Sequence, residues 1–337
     1  MRVIRKLPFL AEVCRNTLLL LILIPGLVHS AWAYSELVVF GDSLSDTGNL
    51  ASLAPVNFPW PYYQNRVSNG PLAVDVLAAE RELSAAASMH LVSGSGGGNF
   101  AVDGASAAGN GAEDLAAQLQ AHLLRQEGQA LPTALYVVMI GGNDVRDARN
   151  KASASEAEAI VDEAVAAISQ TLSTLLQEGA AKILVVNAPD IGRIPETLEK
   201  AKSDPAIVAR STQLTGRFNS ALGSVIASLK MQHGVALVEF DLFSYFNQLL
   251  DNAANHGFTN SEEGCFDSDE WPFLFHPDCD FGARFDYFVF FDSIHPTAKT
   301  HSLIGEALHQ ALQEPAADAT VIMPILWYLL RSNKRFE

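Results

Sequence analysis

The stretch FGDSLSDTGN, at residues 40–49, directly follows a short apolar run of β-branched character, ELVVF at 36–40. The run predicts a buried strand, which places Ser43 at the turn where that strand leads into a helix. A serine hydroxyl at such a turn lies at the edge of the sheet, close to backbone N–H groups and to the positive end of the helix. This setting suits attack on a carbonyl, because the N–H groups would stabilise the oxyanion that forms. A helix N-cap is the commoner role of a serine in this position.

Three further apolar runs resemble the first, and stretches rich in Ala, Leu, Gln and Glu separate them. Short buried runs predict parallel strands, and the stretches between them predict helices. This alternation favours a single α/β domain with a mostly parallel sheet, whose functional residues lie at the carboxyl ends of the strands. The predicted strands are 36–40, 134–140, 182–187 and 235–240, and the predicted helices are 113–126, 155–177, 205–232 and 298–312.

Two motifs offer hydrogen-bond donors that an oxyanion would need. The motif NFAVDGA at 99–105 contains Gly104, and the motif GGND at 141–144 contains Asn143 directly after the predicted strand 134–140. The amide of an asparagine donates a hydrogen bond without carrying a charge, which suits this task. Each motif also has a plainer interpretation, since Gly104 can be a turn glycine and GGND can form a turn and helix cap.

The motif DSIHP at 292–296 offers a base for a serine. An imidazole removes a serine proton at neutral pH, and a carboxylate bonded to its other nitrogen fixes the tautomer and stabilises the imidazolium. Asp292 and His295 are three residues apart, so both can come from one loop. His276 is the nearest rival, but no aspartate precedes it at this spacing. The pair Asp292 and His295 is therefore the predicted base system.

In this order along the chain, the four motifs resemble the sequence blocks of the GDSL, or SGNH, hydrolase family. Weaker matches at 66–71 (RVSNGP) and 187–192 (NAPDIG) extend the resemblance from about residue 36 to about residue 313. The segment 255–286 departs from the family pattern. The resemblance implies an α/β fold, a three-layer α/β/α flavodoxin-like sandwich with a central five-stranded parallel sheet.

The resemblance also implies a serine esterase or lipase that works through an acyl-enzyme. In this family the serine of the first block is the nucleophile, the aspartate and histidine of the last block are its base system, and no cofactor or metal ion is required. The first three blocks supply the N–H groups of the oxyanion hole. Carried over to this sequence, the catalytic residues are Ser43, Asp292 and His295, and the oxyanion-hole residues are Ser43, Gly104 and Asn143.

Residues 1–33 are predicted to be a signal peptide. Basic residues precede the apolar run 17–28, and Ala31-Trp32-Ala33 offers a cleavage site before Tyr34. The alternative is an N-terminal membrane anchor, but the run is shorter than the about 20 residues that a span needs. Export is therefore expected, to a periplasmic, outer-membrane-associated or secreted location if the source is bacterial.

Cleavage would leave two cysteines, Cys265 and Cys279. In an oxidising compartment a disulfide is the default, and the absence of CxxC spacing argues against a metal site. Both cysteines lie in the segment 255–286, which mixes aromatic and acidic residues and is predicted to be an insertion near the site. A long segment of this kind has either a packing or a functional role, and the sequence leaves both open.

The remaining boundaries are a hydrolase domain at 34–315 and an apolar, basic tail at 316–337. The tail contains VIMPILWYLL at 321–330, which is too short to cross a bilayer unaided. A sorting signal, packing against the domain and an interfacial contact all remain open.

The bulk charge and the motifs limit the partners. A formal charge of −16 disfavours nucleic acid, and the phosphate-binding glycine motifs of nucleotide-binding folds are absent. The expected substrate is a small-molecule or lipid ester, with a lipase or lysophospholipase favoured and transient contact with membrane lipid foreseen. A carbohydrate acetylesterase or an acyltransferase would use the same residues. An exported binding protein without catalysis is the alternative of another class, and the oligomeric state is left open.

Overall fold

The computed structural model describes residues 34–54, 57–92, 96–233, 236–267 and 274–313. The predicted signal peptide at 1–33 and the predicted tail at 316–337 lie outside the described residues.

A parallel sheet forms the centre of the fold, with its strands in chain order. Leu37 pairs with Leu135, and Ile183 pairs with both Tyr136 and Leu237, so that the strands stay in register across the sheet. The first two strands are buried along their whole length, which is typical of a parallel sheet with helices on both faces. The strands are β1 (Leu37–Gly41), β2 (Leu135–Met139), β3 (Lys182–Val186) and β4 (Ala236–Phe240), and all four were predicted.

Two groups of helices cover this sheet, which gives the three-layer arrangement that the sequence predicts. The helices are α1 (Ala73–Glu80), α2 (Leu115–Arg125), α3 (Gly142–Arg149), α4 (Ala154–Gln177), α5 (Pro195–Lys200), α6 (Ile207–His233), α7 (Leu242–Asp251) and α8 (Ala298–Ala311). In one group α1 packs against α8, and the other group consists of α2, α3, α4 and α6. Short 3-10 helices occur at Leu50–Leu53, Ile191–Arg193, Ala253–His256, Pro277–Cys279 and Phe285–Tyr287.

The number of strands differs from the predicted five. Within the described part of the chain the central sheet has four strands, and residues 98–102 run along the free edge of β1 in an irregular form. The N–H of Val39 donates to the carbonyl of Gly98 (3.1 Å), and the N–H of Phe100 donates to the carbonyl of Val39 (2.8 Å). The N–H of Val102 also donates to the carbonyl of Gly41 (3.1 Å). The ladder is interrupted because the N–H of Gly41, which would pair with the carbonyl of Phe100 in a regular parallel ladder, donates to the side-chain oxygen of Gln118 (2.9 Å).

The segment 255–286 packs around its own small core. Its strand β5 (Asn260–Gly264) pairs in parallel with β8 (Phe288–Phe290), and β6 (Phe266–Asp267) pairs antiparallel with β7 (Leu274–Phe275). The predicted disulfide between Cys265 and Cys279 is present. Packing therefore accounts for part of this segment, because its side chains Cys265, Phe266, Cys279 and Phe285 are buried together with Phe288 and Phe291, which follow it in the chain.

Two fully buried asparagines join the stretch 40–49 to the segment along the edge of β1. The amide nitrogen of Asn49 donates to the carbonyls of Asn99 and Ala101, both at 2.8 Å. The amide nitrogen of Asn99 donates in turn to the carbonyl of Ser45 at 2.7 Å. Because buried backbone groups need partners, these amides replace the missing strand pairing and fix the two loops together.

We expect Asn99→Ala to lower the free energy of unfolding by about 2–4 kcal/mol. The substitution removes the partners of the Ser45 carbonyl and the Ala101 N–H, and each buried group left unpaired costs roughly 1–3 kcal/mol. Urea denaturation followed by tryptophan fluorescence measures the change. The control is Asn110→Ala, at an exposed position, which should change stability by less than about 0.5 kcal/mol. Equal stability of the two variants would contradict this account.

Candidate active site

Ser43 lies in a tight turn at the carboxyl end of β1. The carbonyl of Asp42 accepts the N–H groups of Ser45 and Asp46, both at 3.0 Å. Gly41 lets the turn come close to β2, since an added Cβ would lie 2.7 Å from the carbonyl oxygen of Met139. The turn leads into a loop rather than the predicted helix, so the expected helix dipole at Ser43 is absent and Ser43 is not a helix cap.

The structure brings Ser43, His295 and Asp292 into one hydrogen-bonded chain. Nε2 of His295 is 2.9 Å from Oγ of Ser43, and Nδ1 is 2.8 and 2.9 Å from the two carboxylate oxygens of Asp292. The carboxylate can only accept, so Nδ1 carries the proton and Nε2 is free to accept from the serine hydroxyl. All three residues are buried. The geometry is that of a serine, its base and the group that orients the base.

The loop that carries this pair is held by the aspartate itself. Oδ1 of Asp292 accepts the N–H groups of Ile294 (2.8 Å) and His295 (2.7 Å). Burial alone would raise the pKa of Asp292, but the charge and the hydrogen bonds of His295 outweigh it and lower this pKa below its usual value. Burial would likewise lower the pKa of His295, but the carboxylate of Asp292 outweighs it and raises this pKa above 6.5.

Hydrogen bonds at both the nitrogen and the oxygen orient the side-chain amide of Asn143. Its nitrogen donates one hydrogen to the carbonyl of Ala105 (2.9 Å), and its oxygen accepts from Arg146 (2.9 Å). These two bonds fix which end of the amide is the donor and leave its second N–H for another acceptor. Asn143 lines the same cavity as Ser43, so the structure places the predicted oxyanion donor beside the serine.

Gly104 has a backbone conformation that favours glycine. Its φ is +84°, and an added Cβ would meet nothing within 4 Å, so the residue is required for its backbone angle and not for space. The N–H of the preceding Asp103 donates to the carboxylate of Asp46 at 2.9 Å. The following Ala105 accepts from Asn143. Both neighbours therefore join this loop to the other motifs of the site.

Two residues that contact the site, Arg146 and Glu196, were not predicted from the sequence. Arg146 lies one helical turn after Asn143 on α3, and this spacing could have indicated that the two side chains contact each other. Its guanidinium also pairs with both carboxylate oxygens of Glu196, at 3.0 and 3.2 Å. The N–H of Glu196 donates to the carbonyl of Ser293 at 2.8 Å, and no local pattern marks this residue. Glu196 therefore links the loop of the histidine to the residue that holds Asn143.

Two more carboxyls lie close to His295. Burial raises the pKa of Asp42 to about 7, while the N–H of Leu44 and the charge of His295 oppose the rise. Burial also raises the pKa of Asp103, again against the influence of His295. Both carboxyls therefore hold a proton more tightly than an exposed aspartate does. Among the described residues, no group of three or more His, Cys, Asp or Glu side chains could hold a metal ion.

An apolar cavity opens next to Ser43 and Asn143. Side chains from the ends of the sheet and from α7 and α8 line it, among them Met139, Ile191, Leu242, Phe246, Phe290 and Ile304. A cavity of this kind fits a hydrocarbon group beside the serine hydroxyl.

Known proteins of one family are similar in sequence to this chain over most of its length. A family model described as GDSL-like Lipase/Acylhydrolase matches residues 37–308. The chain is 29% identical over 238 residues to the phosphatidylcholine-sterol acyltransferase of Aeromonas hydrophila, covering 69% of this chain and 66% of that protein. It is 33% identical over 177 residues to lipase 1 of Photorhabdus luminescens, covering 51% and 25%. The chain therefore spans less than two thirds of the length of these two relatives.

Among solved structures, the chain is similar to the acetylxylan esterase Axe2 from Geobacillus stearothermophilus. The identity is 14%, the TM-score is 0.45, and the match covers 83% of this chain and 94% of that one. Residues 43–295, which contain the whole hydrogen-bonded chain described above, lie inside the range of the family model.

We expect the activity to depend on pH through His295. The imidazole must be neutral to accept the serine proton, and its pKa is raised above 6.5, so kcat/KM for a p-nitrophenyl ester should fall as the pH drops through a midpoint above 6.5. Asp292→Asn removes the charge that raises this pKa, so the midpoint should move to lower pH. The plateau should fall by about 10³- to 10⁴-fold because the tautomer is no longer fixed.

The matched control for this pH profile is Glu178→Gln, which removes one negative charge at an exposed position. Its profile should coincide with that of the wild type. An acid midpoint that stays in place in Asp292→Asn would show that His295 is not the titrating base.

We expect Arg146→Met to lower kcat by roughly 10- to 100-fold, because Asn143 loses the contact that fixes its amide. Removing an oxyanion donor outright typically costs about 10²- to 10³-fold. Steady-state kinetics with a p-nitrophenyl ester measures the effect. The double variant Asn143→Ala/Arg146→Met should be no slower than Asn143→Ala within about twofold, because Arg146 acts through the amide.

Lys200→Met is the control for the lost charge. Lys200 also pairs with Glu196, at 3.7 Å, and no bond joins it to Asn143 among the described residues. Its kcat should therefore stay near that of the wild type. Fully additive losses in the double variant would contradict a role through Asn143.

Proposed function

Because the chain belongs to the GDSL-like lipase/acylhydrolase family, we propose that it is an exported serine hydrolase that cleaves carboxylic esters through an acyl-enzyme on Ser43. The observation that carries this proposal is the unbroken chain from Oγ of Ser43 through His295 to the carboxylate of Asp292, with contacts of 2.9 and 2.8 Å. A folded binding protein has no need for a serine, a base and an orienting carboxylate in this order.

In the first half of the reaction, Nε2 of His295 takes the proton of Ser43 while Oγ attacks the carbonyl carbon of the ester. The tetrahedral intermediate collapses when the bond to the alcohol oxygen breaks, and His295 gives its proton to that oxygen. The alcohol leaves and the acyl group stays on Ser43. Asp292 remains ionised throughout and stabilises the imidazolium, in keeping with its lowered pKa.

In the second half, a water molecule takes the place of the alcohol. His295 removes its proton, the hydroxide attacks the acyl carbon, and the proton passes to Oγ of Ser43 as the acid leaves. Both tetrahedral intermediates carry an oxyanion, for which we assign three donors: the N–H groups of Ser43 and Gly104 and the free amide N–H of Asn143. The contacts of Asn143 with Ala105 and Arg146 support this role, because they hold its amide ready before the substrate arrives.

For the substrate we propose a lipid-like ester, as for a lipase or lysophospholipase. The apolar cavity beside Ser43 supports an aliphatic acyl group. An exposed aromatic surface supports an apolar partner: Trp60 is 65% exposed, Phe281 is 80% exposed, and the ring of Trp60 lies 5.2 Å from that of Phe275. Such a surface suits transient contact with membrane lipid.

Two neighbouring activities use the same residues. An alcohol in place of water would give acyl transfer, and the likeness to the acyltransferase of Aeromonas hydrophila favours this second candidate. A carbohydrate acetylesterase would use exposed aromatic rings for sugar stacking, with a small acyl group in the cavity. The length of the preferred acyl chain separates this alternative from a lipase.

Export is supported by two observations from different parts of the chain. Residues 1–33 have the sequence pattern of a signal peptide, and Cys265 and Cys279 form a disulfide, which persists in oxidising compartments. A periplasmic, outer-membrane-associated or secreted location follows if the source is bacterial.

We expect the protein without residues 1–33 to hydrolyse p-nitrophenyl esters and Ser43→Ala to lose this activity, by roughly 10⁶-fold in kcat as in other serine hydrolases. The rate across acyl chains of increasing length identifies the substrate class: a maximum at medium or long chains fits a lipase, and a maximum at acetyl fits a deacetylase. A fluorophosphonate probe should label the wild type and not Ser43→Ala.

Ser45→Ala is the matched control. Ser45 lies in the same turn, and its buried hydroxyl has no hydrogen-bond partner among the described residues, so its loss should leave the rate nearly unchanged. A folded wild type that neither hydrolyses any of these esters nor reacts with the probe would favour the binding protein instead.

A further inference from the structure

At the carboxyl end of β1, a side chain takes the place of a missing strand partner. Gly41 is the last residue of this strand, and residues 98–102 run along its free edge without completing a ladder. The N–H of Gly41 donates to Oε1 of Gln118 (2.9 Å), and Nε2 of Gln118 donates to the carbonyl of Gly41 (2.8 Å). Gln118 lies on α2 and is fully buried. Its amide therefore pairs with both backbone groups of Gly41, as a neighbouring strand would.

Glutamine suits these contacts better than other side chains. The second hydrogen of its Nε2 donates to the carbonyl of Glu113 (2.7 Å), so both N–H groups and the oxygen of the amide are in use. A flipped amide would set Nε2 against the N–H of Gly41. An apolar side chain would leave that N–H unpaired in a buried place, and a carboxylate could accept it but could not donate to the carbonyl.

The carbonyl of Gly41 is also the point where the two loops with proposed oxyanion donors meet. It accepts the N–H of Val102 at 3.1 Å as well as Nε2 of Gln118. Ser43 lies two residues after Gly41 in the chain, and Gly104 lies two residues after Val102. The relative placement of the two donor N–H groups therefore depends on how this carbonyl is held.

We infer that Gln118 is a positioning residue, whose amide holds the end of β1 so that the N–H groups of Ser43 and Gly104 converge on one oxyanion. The inference rests on the proposed function, because it concerns the oxyanion formed when Ser43 attacks. Gln118 is not one of the described residues that line the apolar cavity, so it acts on the transition state and not on ester binding. A misplacement of about 1 Å in such groups can lower a rate by roughly 10²-fold.

The first test is Gln118→Met, which removes these hydrogen bonds and keeps a side chain of similar length. We expect kcat for a p-nitrophenyl ester to fall by about 10- to 100-fold while KM changes by less than about threefold, because an interaction made only in the transition state does not contribute to substrate binding. Circular dichroism and urea unfolding establish that the variant is folded under the assay conditions.

Tyr136→Phe is the matched control for the loss of a buried hydrogen bond in the same sheet. The hydroxyl of Tyr136 accepts the N–H of Leu131 at 2.7 Å, at the amino end of β2 and so away from Ser43. This variant should lose stability and keep the kcat of the wild type, because the backbone at the site is untouched. A contribution of Gln118 to stability alone predicts the same behaviour for Gln118→Met.

Gln118→Glu separates positioning from stability within one folded protein. When protonated, the introduced carboxyl can accept the N–H of Gly41 and donate to its carbonyl, but when ionised it can only accept. The ratio of its kcat to that of the wild type should therefore fall as the pH rises. A new charge that acted only by raising the pKa of His295 would make this ratio rise instead. Titratable neighbours such as Asp42 and His122 are present in both proteins, so the ratio reports on the introduced carboxyl.

The results separate the inference from the proposed function. A folded Gln118→Met with the kcat of the wild type, or with a change in KM alone, overturns the inference while the proposed function stands, because the wild type still hydrolyses the ester. If Gln118→Met does not fold, Gln118→Glu decides: a ratio that falls with pH supports the inference, and one that stays constant or rises overturns it. A folded wild type without esterase activity counts against the proposed function itself.

Discussion

The carboxylate of Asp46 is the contact on which the geometry of the site depends. It accepts the N–H groups of Gly48 (2.7 Å), Asn49 (2.6 Å) and Leu50 (3.0 Å) from its own loop. It also accepts that of Asp103 (2.9 Å) from a loop more than fifty residues later. Neither loop has the backbone pairing of a strand or a long helix. A single buried carboxylate with several acceptor positions replaces that pairing, and this is why the loops of Ser43 and Gly104 can be irregular and still be fixed.

A second set of charges joins the two halves of the site. Arg146 holds the amide of Asn143 and pairs with Glu196, whose N–H donates to the loop of the base at Ser293. Burial would raise the pKa of Glu196, but Arg146 and the fully buried Arg149 outweigh it and lower this pKa to about 2. Glu196 therefore stays charged under all ordinary conditions. The side chain of Asn143, the proposed oxyanion donor, and the loop of His295, the proposed base, are thus joined by one ionic network.

Much of this could be predicted from the sequence, because the signals were local. The four strands are short apolar runs, and the motifs around Ser43, Asn143 and His295 follow from residue types at fixed spacing. Among the described residues the central sheet has four strands and not the five that the resemblance implies, and residues 98–102 do not complete a ladder because the N–H of Gly41 bonds to the distant side chain of Gln118. The roles of Asp46 and Glu196 depend on partners far away in the chain, such as Asp103 for Asp46. Only the folded chain reveals such pairs.

The substrate that we propose would place its acyl group in one environment, and its alcohol could leave toward another. The cavity beside Ser43, which we propose for the acyl group, is lined by apolar side chains of packed helices and strand ends, so it can select that group closely. The exposed Trp60 and Phe281 form a surface that can meet a variety of apolar partners. If the alcohol leaves toward such an open surface, its identity is selected only loosely. The acyl-enzyme would then partition between water and other alcohols according to their local concentration, which at a lipid surface favours the alcohol. Hydrolysis and transfer would in that case differ by the surroundings of the protein and not by its catalytic residues.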